Sequence, residues 1–137
     1  MKAAFSALTV YVALPLALCA AGSAYADCTY PTAPDKLPDG RTATMAEMVT
    51  AQKAVKQFDL DINAYIACIK LEYDDSVKKV AIKPGDKPTA DQQKAMAELE
   101  RVQIQRHNAA LDADQSVADR FNEQVRIFKA KAADQKK

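Results

Sequence analysis

The stretch Lys83-Pro84-Gly85-Asp86-Lys87-Pro88-Thr89-Ala90-Asp91-Gln92 decides the fold. Pro84 disfavours helix at the residue before it, and Gly85 offers turn conformations closed to other residues. Thr89 and Gln92, directly after Pro88, have capping-box spacing, in which each side chain takes up the other residue's backbone N–H. One helix therefore ends before Lys83 and another starts at Thr89.

Upstream, a second capping box, Thr44-Met45-Ala46-Glu47, opens a run with no Pro or Gly as far as Ala81. Met48, Ala51, Val55, Phe58, Ile62, Tyr65, Ile69, Tyr73, Val77 and Val80 recur at steps of three and four, one stripe of a helix and not the alternation of a strand. Downstream, Met96, Leu99, Gln103, Arg106, Ala110, Ala113, Val117, Phe121, Val125 and Phe128 form the matching stripe, and a Lys-rich tail suits a helix C-terminus. The pattern predicts helices over about 44–81 and 89–133, each on the order of 55–65 Å long.

So short a turn makes them antiparallel neighbours. The predicted fold is all-α, a long two-helix hairpin packed as in a coiled coil, within a domain covering residues 43–137. A turn centred near residue 86 sets Ile69 against Gln103, Ile62 against Ala110, Val55 against Val117, Ala51 against Phe121 and Met48 against Val125. Several of these pairs oppose a large side chain to a small one, as interdigitation requires.

Residues 27–42 form an arm broken by Pro31, Pro34, Pro38 and Gly40, which favour extended, polyproline-like backbone. Residues 1–26 read as an export signal: Lys2, an apolar stretch from Phe5 to Ala21, and Ala24-Tyr25-Ala26 as the small-x-small cleavage pattern. Leu18 before Cys19 argues against a lipoprotein signal, and no twin-Arg pair is present. The expected location is periplasmic or secreted, with no membrane insertion of the mature chain.

Cleavage leaves Cys28 and Cys68, and two cysteines in an oxidising compartment call for one disulfide. An intramolecular bridge is expected, an intermolecular one being the other pairing. From Thr44 to Cys68 a helix rises about 36 Å, and residues 28–43 extended cover on the order of 47 Å, so the arm can double back to Cys68. It would then lie over the helix pair as a third strip carrying Tyr30, Pro34 and Leu37.

Among 137 residues there are 3 Gly, 1 His and no Trp. That argues against a Gly-rich phosphate loop and a multi-His metal centre. Loss of Lys2 with the leader leaves basic and acidic residues equal in number, so no long-range field draws the mature chain to nucleic acid. Asp59-Leu60-Asp61-Ile62-Asn63 imitates a calcium loop but has Ala64 where Gly is needed and Lys70 where a bidentate Glu is needed. Glu72, Asp74 and Asp75 read as solvated surface charges, Asp74 paired with Lys78 and Asp75 with Lys79. Arg106, His107 and Asn108 interrupt the second stripe roughly opposite Tyr65, and such a polar notch fixes register or partner choice. Tyr65, Arg106 and His107 are therefore the candidate interface or register residues. No catalytic residue, metal ligand or cofactor is expected.

Cys28, Pro31, Pro38-Asp39-Gly40, Met45-Ala46-Glu47-Met48, Ala51-Gln52, Val55-Lys56, Tyr65 and Cys68 together resemble a group of small, uncharacterised exported bacterial proteins. These share a Pro/Gly-bearing arm, an E-M-x-x-A-Q-like helix start and a later Y-x-x-C. The resemblance covers about residues 28–70, implies bacterial export and an arm-plus-helix layout, and carries over no activity or site residue.

Two helices alone leave much of each apolar stripe exposed, so something must cover it. The expected function is that of a non-enzymatic helical interaction protein, binding a protein partner or a second copy of itself. A holdase-like envelope chaperone is the alternative, and an enzyme ranks last for want of a nucleophile–base pair or metal set.

Overall fold

The structure is a computed structural model that describes residues 28–80, 82–83 and 85–134; the leader read at residues 1–26 lies outside them. Two helices, α1 (Met45–Val80) and α2 (Ala90–Asp134), pack against each other as an antiparallel hairpin. Both start one residue after the threonine expected to cap them, because an N-cap residue keeps non-helical backbone angles. Each capping box is formed. Thr44 N–H donates to Glu47 Oε2 at 2.7 Å and Glu47 N–H to Thr44 Oγ1 at 3.2 Å. Thr89 N–H donates to Gln92 Oε1 at 2.9 Å and Gln92 N–H to Thr89 Oγ1 at 3.2 Å. Between the helices, Asp86 N–H donates to the Lys83 carbonyl at 3.0 Å, and Gly85 takes a φ of 95°, which no other residue adopts as readily.

The arm doubles back along the hairpin and is tied by a disulfide between Cys28 and Cys68, with the Cα atoms 5.8 Å apart. Phe58, Ile62, Tyr65, Ile69, Ala110 and Val117 form one buried cluster, against which Cys28, Ala33 and Val55 pack. Ala43, Met48, Ala51 and Phe121 form a second, closed by Leu37, Val125 and Phe128. Ile62 thus shares a cluster with Ala110, Ala51 with Phe121 and Met48 with Val125, as the predicted register requires. Ala33 of the arm enters the core, whereas Tyr30 lies on the surface, 45% exposed.

Gly40 has a role the sequence reading did not give it. A Cβ there would collide with the Gln124 carbonyl oxygen and come within 2.8 Å of the Phe128 backbone nitrogen. Only glycine lets the arm run this close to α2, and Gly40 N–H donates to Gln124 Oε1 at 2.9 Å.

The apolar stripes extend further than the core does. Tyr73, Val77, Val80, Met96 and Leu99 are only half-buried, and none of the described residues from Lys70 to Ala109 is buried. The described part of the arm begins at Cys28, and among the described residues nothing closes the seam between there and the turn.

Candidate interaction site

Tyr65 and Arg106, expected to oppose each other, do so where the covered seam gives way to the open one. Tyr65 is buried on α1, and Arg106 Nε donates to its hydroxyl at 3.0 Å. The guanidinium carbon lies 5.5 Å from the Tyr65 ring centroid, within cation–π range. Arg106 Nη1 donates to Glu72 Oε2 at 2.7 Å, and Glu72 Oε1 accepts the Cys28 N–H at 3.0 Å. On the other side Tyr30 meets the Tyr65 ring edge-on, centroids 5.0 Å apart, and its hydroxyl donates to the Ala109 carbonyl at 3.1 Å. One connected set of contacts thus holds α1, α2 and the end of the arm.

Glu72 is a correction to the sequence reading. Rather than a solvated surface charge, it is the acceptor that fixes Cys28, the arm's first described residue. The others of that cluster find different partners: Asp74 pairs with Lys70 at 2.8 Å, not with Lys78, and Asp75 pairs with Lys78 at 2.9 Å. His107 is half-buried and lies outside the network. Neither spacing nor charge pattern marked Glu72, because its partners, Cys28 and Arg106, are 44 and 34 residues away.

The electrostatics are those of a fastening. Hydrogen bonds from the Cys28 N–H and then from Arg106 hold the Glu72 carboxyl below its ordinary range. The Tyr65 hydroxyl, and then Glu72, keep Arg106 protonated still more firmly. Burial and the neighbouring Tyr65 raise the Tyr30 phenol. An ionised carboxylate with both oxygens engaged and a permanent cation have no proton to exchange near neutral pH. Cys28, Cys68 and Glu72 do bring three potential metal-ligand atoms within 4.8 Å of one another. The disulfide, however, consumes both thiolates that a metal would need.

No family model, curated protein or solved structure matches this chain. Among the described residues no helix is long and apolar enough to cross a membrane. Two clefts lie along the hairpin, one at its open end and one that shares Glu72 and Arg106 with the network. At the open end of the hairpin, Met45, Val49, Val125 and Phe128 line one of about 270 Å³. Beside the turn, Ile69, Tyr73, Leu99 and Val102 line another of about 570 Å³.

Proposed function

We propose that the protein is a non-enzymatic, exported helical interaction protein that binds a protein partner or a second copy of itself. The observation that carries this reading is the large apolar surface left outside the core. Met45 is 64% exposed, and with Val49 it borders the open-end cleft. On α2, Ile104 and Leu111 are also exposed and share one face, being seven residues apart. Exposed apolar side chains grouped on one helix face, or around a cleft, suit an interaction site. A disulfide suits an oxidising compartment, and with the sequence's export signal it supports a periplasmic or secreted location. The mature chain's neutral formal charge favours a specific partner over the broad client range of a holdase.

The test combines light scattering of the mature chain with photo-crosslinking from Val49 and Leu111 in the cell envelope. A concentration-dependent dimer, or one defined crosslinked adduct lost on Met45→Asp with the helix content retained, is expected. A strict monomer that yields no adduct from either position overturns the reading.

A further inference from the structure

The cleft beside the turn lies on the track that the arm already follows. From Gly40 to Cys28 an extended, proline-bearing strand rests on the helix pair, with Leu37 and Ala33 packed against the core. Side-chain oxygens from the helices hold its backbone at both ends, Gln124 on the Gly40 N–H and Glu72 on the Cys28 N–H. The described part of this segment begins at Cys28, which on the export reading only Asp27 precedes in the mature chain, whereas the helices continue toward the turn. Ile69 and Arg106, which border the arm's end, also line the cleft that follows.

α2 repeats its arm-binding surface there. Gln103, Ala110, Val117 and Gln124 succeed one another at seven-residue steps, and Gln103 is half-buried as Gln124 is. Gln124 accepts a strand amide, whereas Gln103 lines the cleft with no hydrogen bond among the described residues. Tyr73, Leu99 and Val102 supply the apolar lining, and about 570 Å³ is ample for several side chains of a bound segment.

We propose that this cleft docks an extended, proline-bearing segment of a partner protein, laid along the arm's track beyond Cys28 with a backbone amide on Gln103. The proposal rests on the protein-binding reading above and names the kind of segment bound. A strand fits where a second helix does not. The rim carries the Asp75–Lys78 ion pair and Lys79, and a helix broad enough to cover the seam would desolvate those charges. A single strand lies between them, as the arm lies between the helices.

The arm's own sequence is the natural probe. A blocked peptide copying Thr29–Asp39 is titrated into the disulfide-bonded, isotope-labelled mature chain and followed by amide chemical shifts. Saturable shifts at Tyr73, Leu99 and Gln103 are expected. Leu99→Asp and Gln103→Ala should each weaken binding by roughly tenfold, the loss typical of a central contact. Replacing the peptide's prolines with glycine should weaken it too, because the extended form is then no longer preorganised. No shift at millimolar peptide overturns the proposal, as do shifts confined to Ala33 and Leu37, which would mean exchange with the arm. Shifts only at Val49 and Val125 overturn it while leaving the protein-binding reading in place. If the peptide is inert and the Val49 and Leu111 crosslinks also fail, both readings fall.

Discussion

The two halves of this hairpin carry the same apolar periodicity and end up with different interiors. In the half the arm covers, α1 buries Met48 through Ile69 and α2 buries Ala110 through Phe121 at the seam. In the half beside the turn, Tyr73, Val77, Leu99 and Val102 continue the stripes and stay half-exposed. Two cylinders meet along a line, so each seam residue is shielded from water on one side only. A third strip closes the other side, and here it is an arm with too little helix propensity to be a helix itself. Periodicity sets which side chains face the seam; coverage decides whether they become core.

Cutting the tether should break this contrast most visibly. The Cys28–Cys68 bridge closes a loop with a sequence separation of 40. Its removal by Cys68→Ser is expected to lower stability by about 3–4 kcal/mol in the chain-entropy account, read by thermal unfolding. Hydrogen exchange sharpens the comparison: amides at Ile62 and Ile69 should lose protection while those at residues 90–103 change little. Equal loss in both halves would mean that the arm does not create the difference.

Paired truncations come next. Ile69 is fully buried, and Ile69→Ala is expected to cost about 3 kcal/mol by leaving a cavity the fixed helices cannot fill. Leu99→Ala, on the same seam in the open half, should cost less than about 1 kcal/mol. Denaturant unfolding of the two variants measures the ratio directly, and comparable losses would refute an uncovered seam. Gly40→Ala tests the third strip from the other end. Its methyl group would meet α2 backbone that cannot shift without breaking helical hydrogen bonds, so the arm must lift, at about 2 kcal/mol.

Much of this architecture was readable in the sequence. Pro84-Gly85 and the two capping boxes set the helix ends to within a residue, and the stripes set the register through pairs such as Ile62 with Ala110. Tyr65 and Arg106 were also paired correctly, since a register places them opposite each other. What escaped depends on the arm's exact path. Gly40 read as a helix breaker, while its real constraint is the distance to Gln124 and Phe128. Glu72 looked like one surface acid among three until the Cys28 amide arrived beside it. Local spacing cannot encode a contact made by an irregular segment that crosses two helices.

The boundary between the halves has its own test. Because the folded state holds the Glu72 carboxyl below its ordinary value of 4.5, the folded protein binds its proton less tightly than the unfolded chain does. The stabilisation is therefore complete above that ordinary value and fades as pH falls through the lowered one. Glu72→Gln keeps the shape and loses the charge. It is expected to lower stability by about 1 kcal/mol at neutral pH and to converge with the parent protein in acid. A constant difference at every pH would show that the amide seat matters and the charge does not.

Asp114 offers the smallest effect and the opposite sign. Burial, and then the charge of nearby Asp59, raise its carboxyl above the ordinary 3.8. The folded state holds this proton more tightly than the unfolded chain, so the contribution is favourable below the ordinary value and is lost as pH rises through the raised one. The charge of Asp59 on α1 thus disfavours a charge on Asp114 of α2. Asp114→Asn should relieve that repulsion and, the site being partly solvated, raise stability by only about 0.3–0.5 kcal/mol, with little change in strong acid. The two acids separate fastening from tolerance: Glu72 is ionised because the arm needs it so, and Asp114 is ionised at some expense to the fold. A destabilised Asp114→Asn at neutral pH would reverse that assignment and make the pair a cross-helix contact that α1 and α2 rely on.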